Sequence, residues 1–486
     1  MTAPFRQALM AMLALAPFAL SPFALSLAAC AVGPDYRKPD LALTPAYVTP
    51  VPAAPGAKTA SLDVWWEGFG DPELVRVVER ATAGNLDIAQ AGARVRQSRA
   101  AAKAAGAALL PQAAATGSVA DVRQSLLSPI GEIGSHLPGF QRDYDEYGLG
   151  LGGSWRIDVS GGLRRARDAA RADADAAADQ AIAVRLTVAA DAADAYLQVR
   201  AYQARIAVAR RQVQVQEDLV ALLVKRTAEG VTADRELHEA RAALEGARAT
   251  IPPLQTGLEA QLNRLDVLMG AQPGTWRAEL AAEAALPSPP GLTAGDGPAD
   301  LLRRRPDVLA AEQRLIAANA RIGAAISDYY PKVSISGLLG LDSIDATRLF
   351  TGAAVAHQVG AGLSWRLFDF GRVDAEVAQA RGADAEALAA YRATVLRATE
   401  EVEDSFSGMI QDEVQADALA RQIDQLTTAR RQAEQAYQGG VDSLIEVRDA
   451  DRDLLAASDQ LVQAKAGAAR AAVASFRALG GGWKPI

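Results

Sequence analysis

The sequence predicts an α+β fold in which very long helices alternate with short pairs of strands. Three observations support this: a repeat that divides the chain into two copies, a stretch of 67 residues without glycine or proline, and segments in which apolar and small residues alternate. Half of the residues are hydrophobic, but only 5% are aromatic. Such alanine-rich composition, mixed with charged residues, favours extended packed helices over one bulky globular core.

The repeat is read from residues that recur at fixed separations. At a separation of 220 residues, five positions of the first copy recur in the second: Asp87, Ala91, Arg94, Pro111 and Gly117 become Asp307, Ala311, Arg314, Pro331 and Gly337. Further on the separation is 210 residues: Ser154-Trp155-Arg156, Gly161, Asp194 and Gly230-Val231 become Ser364-Trp365-Arg366, Gly371, Asp404 and Gly440-Val441. The change falls between Gly117 and Ser154, so the first copy has the longer loop there.

The domain boundaries follow from this repeat and from a proline-rich linker. We expect a signal peptide at 1–29, a lipid-anchored N-terminal segment at 30–70, and a first repeat at 71–285 with a β-hairpin at about 112–157. A linker at 286–297 precedes the second repeat at 298–486, with a β-hairpin at about 332–367. Each copy reads as helix, strand pair, very long helix, turn and helix.

The long helices are predicted from the absence of breakers. Residues 163–229 contain neither glycine nor proline, and one helix of that length would extend for about 100 Å. Helices of this kind are stable when packed side by side. Gly230-Val231 and Gly440-Val441 supply the backbone freedom for the turns that end them.

The strands show an alternation with a period of two. Apolar side chains of the first copy occupy the odd positions Tyr147, Leu149, Leu151, Trp155 and Ile157, and small or polar residues stand between them. In the second copy Val355, Val359, Leu363, Trp365 and Leu367 alternate in the same way, after a strand around Val333–Leu341. This pattern is typical of membrane-spanning strands with one face toward lipid and one toward a lumen. Four strands cannot close a barrel, so closure requires other subunits.

Composition disfavours certain partners and cofactors, and the N-terminal leader predicts a lipid anchor. A net charge of −8 disfavours nucleic acid as a partner, and three histidines with one cysteine predict no metal or other cofactor. Arg6 and an apolar stretch at 9–27 run into Leu27-Ala28-Ala29-Cys30, which resembles the bacterial lipobox. Cys30 is therefore the predicted lipidation site, and acyl chains would tether the protein to the membrane.

The motifs of the mature chain resemble the outer-membrane factor (TolC-like) family, in the NodT-type lipoprotein branch. The motifs are Cys30-Ala-Val-Gly-Pro-Asp-Tyr36, Trp65-Trp66, Asp71-Pro72-Glu-Leu74, Asn85-Leu-Asp-Ile-Ala89, Leu301-Leu-Arg-Arg-Arg-Pro-Asp-Val308, Tyr330-Pro331, Phe368-Asp-Phe-Gly371 and Tyr437-Gln-Gly-Gly-Val441. Trp65, Trp66 and the run at 303–307 have a plainer interpretation as packing and helix-start residues.

The resemblance implies a TolC-like homotrimer. Each chain would give four transmembrane strands to a 12-stranded barrel, continued by a long periplasmic α-helical tunnel. It also implies residence in the outer membrane, contact with outer-membrane lipid, and docking to a periplasmic adaptor. Through that adaptor the channel would serve an inner-membrane transporter of the resistance-nodulation-division type.

Two sites are expected at the turns between helices. The adaptor-docking tips are Gly230, Val231, Gly440 and Val441. Asp442, Glu446, Asp449 and Asp453 share one helical face as an acidic stripe, which is either turned inward around the trimer axis or solvated and balanced by Arg448 and Arg452. The resemblance favours the inward orientation and makes Tyr437, Glu446 and Asp449 the periplasmic gate. In TolC an arginine at the position of Asp442 ties neighbouring helices together. In this chain the helices at the gate must therefore be held differently, for instance by apolar packing of Leu444 and Val447.

Competing functions are distinguished by the strands. A coiled-coil structural lipoprotein or an adaptor would share the helices, but neither requires alternating strands. The outer-membrane channel of a type I protein secretion system remains an alternative to efflux. An enzyme is disfavoured, because no nucleophile elbow, phosphate loop or metal-ligand cluster occurs in the sequence.

Overall fold

The computed structural model describes residues 31–50, 60–292, 297–441 and 443–484. The predicted signal peptide at 1–29, the lipidation site Cys30 and the stripe residue Asp442 lie outside these described residues. The chain divides into two compact units. The first comprises the described residues up to Pro39, with Arg96–Asp175 and Gln313–Ala389, and the second comprises Asp40–Val95, Ala176–Glu312 and the described residues from Ala390 onward.

The elements follow the predicted order in both copies. In the first copy they are α1 (Pro72–Gly84), α2 (Leu86–Ala107), β1 (Gln112–Arg123), α3 (Pro129–Ser135), β2 (Asp143–Ile157), α4 (Gly162–Ala228), α5 (Asp234–Ala249), α6 (Ile251–Leu268) and α7 (Arg277–Leu280). In the second they are α8 (Leu301–Arg304), α9 (Pro306–Ile326), β3 (Lys332–Ser343), β4 (Val355–Ser364), α10 (Arg372–Gln438) and α11 (Leu444–Ala478). The α+β class is confirmed. Each of the helices α4 and α10 contains 67 residues.

Three details differ from the sequence expectations. The longer loop of the first copy contains α3, which Ser128 caps by accepting a hydrogen bond from the Gly131 N–H. The helix after the first long helix is broken at Thr250, because Pro252 and Pro253 lack the N–H groups that a continuous helix needs. Trp365 and Leu367, which the alternation assigned to the second hairpin, lie beyond the end of β4.

The four strands form one antiparallel sheet in the order β1-β2-β3-β4. Gln112 lies opposite Ser154, Trp155 opposite Ile335, and Lys332 opposite Ser364. Because neighbouring strands keep this register, the alternation gives two distinct faces. One face presents exposed Leu149, Leu151, Leu339, Val359 and Leu363. The other carries glycine, serine and threonine, with Gly148 beside Ser118, Gly150 beside Thr116 and Gly362 beside Ser334.

Equivalent tryptophans join each hairpin to the helix before it. The indole Nε1 of Trp155 donates to the Leu109 carbonyl over 2.9 Å, and that of Trp365 donates to the Tyr329 carbonyl over 2.9 Å. Leu109 and Tyr329 each precede a loop proline by two residues. The prolines at 111 and 331 thus lie at helix-to-strand junctions, consistent with the disfavoured helical conformation of a residue that precedes proline.

The second unit has an aromatic core. Trp65 is 1% exposed and stacks on Phe476, with ring centroids 5.5 Å apart, while Trp66 packs edge-on against Trp65. Arg305 is also buried, and its guanidinium binds both Asp307 and Glu401 at 2.7 Å. The packing interpretation is therefore correct for Trp65, Trp66 and Arg305, whereas Arg303 of the same run is exposed. Within the described ranges, no helix combines the length and the apolar character that a membrane crossing requires.

Glu403 anchors the N-terminal segment within the second unit. Its carboxylate accepts hydrogen bonds from the backbone N–H groups of Val48, at 2.7 Å, and Thr49, at 2.8 Å. Beside it, the ring of Tyr47 packs edge-on against Phe406. Burial raises the pKa of Glu403, but the hydrogen bonds from Thr49 and Val48 more than offset this and leave the pKa lowered. The ionised carboxylate therefore holds the segment in place.

We expect Glu403→Gln to loosen this segment by about 1 kcal/mol, because a neutral amide accepts these hydrogen bonds more weakly. Amide hydrogen exchange over residues 45–50, followed by mass spectrometry, should be about fivefold faster in the variant. Because the folded pKa is lowered, the wild-type protein should lose this protection only as the pH falls below the ordinary value of 4.5 toward the lowered one. The exposed Glu400→Gln is the control. Equal exchange in both variants would contradict the anchoring role.

Candidate functional site at the helical turns

The turns that end α4 and α10 have the same backbone structure. Gly230 and Gly440 adopt φ angles of +72° and +73°, in the left-handed region that favours glycine. The Val231 N–H donates to the Arg226 carbonyl over 2.9 Å, and the Val441 N–H donates to the Ala436 carbonyl over 3.0 Å. The Gly230 N–H also donates to the Thr227 carbonyl, and the Gly440 N–H donates to the Tyr437 carbonyl, so each turn is a Schellman motif that satisfies the last helical carbonyls. The Gly-Val pairs thus end both long helices.

Each turn also presents an apolar side chain to solvent. Val231 is 70% exposed and Val441 is 82% exposed. A side-chain carbon added to Gly230 or to Gly440 would meet no atom within 4 Å. The four residues predicted as tips therefore lie at two open turns, where a bulkier partner surface could approach the backbone.

Behind the turns lies a small apolar cluster, formed by Leu223, Leu237, Ala240 and Leu444 with Leu219, Val220 and Tyr437 packed against it. Leu444 and Val447 are both 6% exposed. Burial of leucine side chains of this kind contributes roughly 1.5–3 kcal/mol each. Apolar packing at Leu444 and Val447, which the sequence suggested as the means of holding the turns together, is present.

Two polar contacts link the helices beside this cluster. Arg226 Nη1 donates to the hydroxyl of Tyr437 over 2.8 Å, and its guanidinium also lies 5.0 Å from the centroid of the Tyr437 ring. Arg448 Nη1 lies 3.3 Å from Glu239 Oε2. The predicted gate residue Tyr437 is thus bound to the end of α4. The second contact joins α5 to α11.

The acidic stripe lies on the exposed face of α11. Glu446, Asp449 and Asp453 are all exposed, and Arg452 lies 3.3 Å from Asp449 and 3.2 Å from Asp453. Arg448 is directed to Glu239 instead of the stripe. The structure therefore groups Tyr437 with Arg226 and the apolar cluster, and groups Asp449 with Arg452. Within the described chain, no three His, Cys, Asp or Glu side chains are arranged to hold a metal ion.

The sequence analysis missed two members of this site. Arg226 has no motif that predicts its pairing with Tyr437, since the contact joins residues 211 positions apart. Asp451 is 5% exposed, and Arg430 Nε lies 3.0 Å from its Oδ1. Burial raises the pKa of Asp451, and Arg430 offsets part of that rise. Its spacing from buried Leu444 and Val447 would have placed Asp451 on the apolar face of α11.

The chain is similar to known proteins along nearly its whole length. A family model described as outer membrane efflux protein matches residues 77–271 and 297–481. The pyoverdine export outer membrane protein OpmQ of Pseudomonas putida is 31% identical over 446 residues, which cover 92% of this chain and 94% of that protein. Nodulation protein T of Rhizobium leguminosarum is 28% identical, over 89% of this chain and 86% of the relative. The solved structure of the outer-membrane channel OprN superposes with a TM-score of 0.83 at 32% identity, covering 93% of this chain and all (100%) of that one.

Proposed function

Because the chain belongs to the outer membrane efflux protein family, we propose that it is the outer-membrane channel subunit of an efflux pump. The observation that carries the proposal is the two-faced sheet. Leu149, Leu339 and Val359 lie on one face, and a row of glycine, serine and threonine lies on the other. An apolar outer face suits lipid, and a face of small polar residues suits a water-filled passage. The channel conducts passively, so the energy for export comes from a partner.

The functional unit is a homotrimer. The sheet has only four strands, and among the described residues no strand lies beside the outer edge of β1 or β4. Unpaired backbone groups are costly in hydrocarbon, so a spanning sheet must close on itself. Three copies supply twelve strands, a number within the range of closed outer-membrane barrels.

The channel works with a periplasmic adaptor and an inner-membrane transporter. The names of the relatives support this. OpmQ exports pyoverdine. Another relative, TtgF of Pseudomonas putida, is 31% identical and is the outer membrane protein of a toluene efflux pump. These substrates differ widely in chemistry. The difference is consistent with a conduit whose substrates are selected upstream, by the transporter.

The gate lies at the second turn and comprises Tyr437, Glu446 and Asp449. Tyr437 is held by Arg226, and the two carboxylates lie on the exposed face of α11. If that face turns toward the threefold axis, three copies of each carboxylate form acidic rings, which favour cations. Exposure of the carboxylates in the single chain supports the proposal, because an axial ring must face water.

We expect the double substitution Glu446→Ala and Asp449→Ala to raise single-channel conductance in planar bilayers and to lower the preference for K⁺ over Cl⁻ several-fold. The physical reason is that three pairs of negative charges leave the constriction. The control is Glu67→Ala with Glu79→Ala, which removes the same charge from exposed sites of the N-terminal region.

Wild-type trimers that fail to conduct would contradict the channel function itself. Conducting trimers whose conductance and selectivity are the same in the double variant and in the control would instead place the gate elsewhere along the chain.

The two turns dock the adaptor. Their support is the exposure of Val231 and Val441 and the open space around both glycines. The test uses an adaptor that supports export by the wild-type channel. We expect Val441→Asp and Gly440→Leu each to reduce export several-fold and to reduce cross-linking to this adaptor several-fold. Charge or bulk on these turns opposes close apolar contact.

Gly274→Leu is a matched control for Gly440→Leu, because Gly274 also has a positive φ and no neighbouring atom within 4 Å of an added carbon. The trimer should remain intact in all three variants. Undiminished cross-linking of Val441→Asp would show that the adaptor binds elsewhere.

Cys30 carries the lipid anchor. The proposal is supported by the sequence Leu27-Ala28-Ala29-Cys30, in which the only cysteine of the chain stands at the position that the lipobox requires. We expect Cys30→Ala to abolish incorporation of labelled palmitate and cleavage of the leader, whereas Ser26→Ala should incorporate it normally. Labelling of Cys30→Ala at the wild-type level would refute lipidation at this residue.

A further inference from the structure

The sheet has two different ends. At the helical end its strands join α2, α4, α9 and α10, and at the loop end β1 is connected to β2 and β3 to β4. The register opposes even-numbered residues to each other in all three strand pairs, so these residues form one face, which includes Gly148, Ser154 and Ser336. This is the face that the proposed channel turns toward water. A charge on an even-numbered residue therefore acts on the lumen.

Within the four strands, charged residues on this face occur only near the ends of β2 and β3. β2 carries Glu146 at the loop end and Arg156 at the helical end, while β3 carries Asp342 and Lys332 at those ends. In each strand ten residues separate the two charges, about 33 Å of extended chain. The even-numbered residues between them, like all those of β1 and β4, are uncharged. The field along this face is therefore set at its ends.

The helical end carries cations that share few carboxylates. Lys332 Nζ lies 2.6 Å from Asp328 Oδ1. Arg366, just beyond β4, lies 3.8 Å from the other oxygen of Asp328 and 3.6 Å from Glu376. Arg156 lines the same cavity as Lys332 and Asp328 and is exposed, and no carboxylate of the described chain lies within ion-pair distance of its guanidinium. Its charge is therefore available to a solute in the lumen.

The charge of the helical end stays positive when the neighbouring carboxylates are counted. Arg372 also contacts Glu376, at 2.9 Å. Arg164 pairs with Asp158 at 3.2 Å, and Asp369 accepts hydrogen bonds from N–H groups at the start of α10. Five cations thus accompany four carboxylates: Arg156, Arg164, Lys332, Arg366 and Arg372 with Asp158, Asp328, Asp369 and Glu376. Each chain contributes one net positive charge at this end.

Carboxylates predominate at the loop end. Glu146 and Asp342 line one cavity of about 420 Å³, together with Asp345 and Arg348 from the loop between β3 and β4. Arg348 is the only cation among the residues that line this cavity. Three carboxylates with one guanidinium leave two net negative charges in each chain. The two ends of the face thus have opposite signs.

In the proposed trimer these ends become two rings around the lumen, with three net positive charges at the helical end and six net negative charges at the loop end. Twelve strands about 4.8 Å apart, tilted by about 40°, form a barrel with a backbone radius of about 12 Å. The Debye length is about 10 Å in 0.1 M salt and about 3 Å in 1 M salt. Each ring therefore controls the ions across most of the lumen at low salt and loses that control at high salt.

Opposite fixed charges at the two ends make ion movement depend on direction. Anions are concentrated at the basic helical end and cations at the acidic loop end. A voltage that drives both kinds of ion toward the middle fills the passage with carriers, whereas the reverse voltage empties it. Anions that leave the helical end toward the loop end move in the favoured direction. Anions that enter from the loop end first meet the acidic ring, which repels them.

We propose that Arg156 and Lys332, with Glu146 and Asp342, polarise the barrel lumen so that it conducts anions from the helical end to the loop end more readily than in reverse. The inference rests on the proposed channel. It adds a class of solute, small anions, whose passage depends on direction, and four lumen residues that determine this dependence.

Current–voltage recordings of single trimers in planar bilayers test the polarity. Biotin on Val441→Cys, bound by streptavidin from one chamber only, identifies the side of the helical turns. In 0.1 M KCl the current with the loop side positive should exceed the current at the opposite voltage about twofold, and in 1 M KCl the ratio should fall toward one.

Neutralising either end should remove this asymmetry. Glu146→Gln with Asp342→Asn should lower the ratio in 0.1 M KCl to its value in 1 M KCl. The matched control is Asp121→Asn with Asp145→Asn, which removes the same charge from directly opposed residues on the other face of the sheet, near the loop end, and should leave the ratio unchanged.

Arg156→Gln with Lys332→Gln tests the helical end independently, and it decides the question if the loop-end variant does not assemble. Equal ratios in the control and in either lumen variant would overturn the polarity. So would a larger current with the loop side negative, because the two rings would then act in the wrong order. Conducting trimers without asymmetry would refute this inference alone, whereas wild-type trimers that do not conduct would refute the channel function as well.

Discussion

Everything in this structure depends on the backbone hydrogen-bonding groups at the two edges of a four-stranded sheet. The edge strands β1 and β4 contain 12 and 10 residues, and in the described chain their outer N–H and C=O groups face no further strand. In hydrocarbon each such group costs several kcal/mol. The cost is removed only when another chain supplies the missing strand. A single chain is therefore an incomplete unit of a membrane-spanning sheet.

The helical turns show how the two copies of the repeat differ. Both long helices end in the same glycine-dependent turn, yet α5 and α6 are separated at Thr250 while α11 is continuous over 35 residues. The prolines of the first copy remove two backbone donors that the second copy retains. Likewise the contact of Arg226 with Tyr437 is not repeated with the two copies exchanged. The repeat equivalents of Tyr437 and Arg226 are Thr227 and Ala436, which cannot form the same contact. A trimer built from this chain has threefold rather than sixfold symmetry at its turns.

The sequence predicted those features that depend on local chemistry. The absence of glycine and proline predicted α4 to within one residue, and alternation predicted both faces of β2. The end of β4 was placed three residues too late, because Trp365 and Leu367 continue the alternation after the pairing stops. Contacts across long separations had no sequence signal: Arg226 with Tyr437 and Glu403 with Val48 both depend on tertiary packing. The periodicity that identified the acidic stripe could not determine whether the stripe faces an axis or bulk solvent.

If the turns form the proposed gate, the relative strength of their contacts indicates which of them would govern its opening. Exposed ion pairs such as Asp449 with Arg452 contribute about 0–1 kcal/mol and are screened by salt. The half-buried bond between Arg226 and Tyr437 is a hydrogen bond to a charged donor, worth roughly 1.5–3 kcal/mol before any loss to solvent exposure. Each leucine of the cluster around Leu223 and Leu444 contributes a similar amount. In the proposed gate, the carboxylates would therefore set the charge of the constriction, while the apolar cluster and Tyr437 would determine how tightly it stays closed.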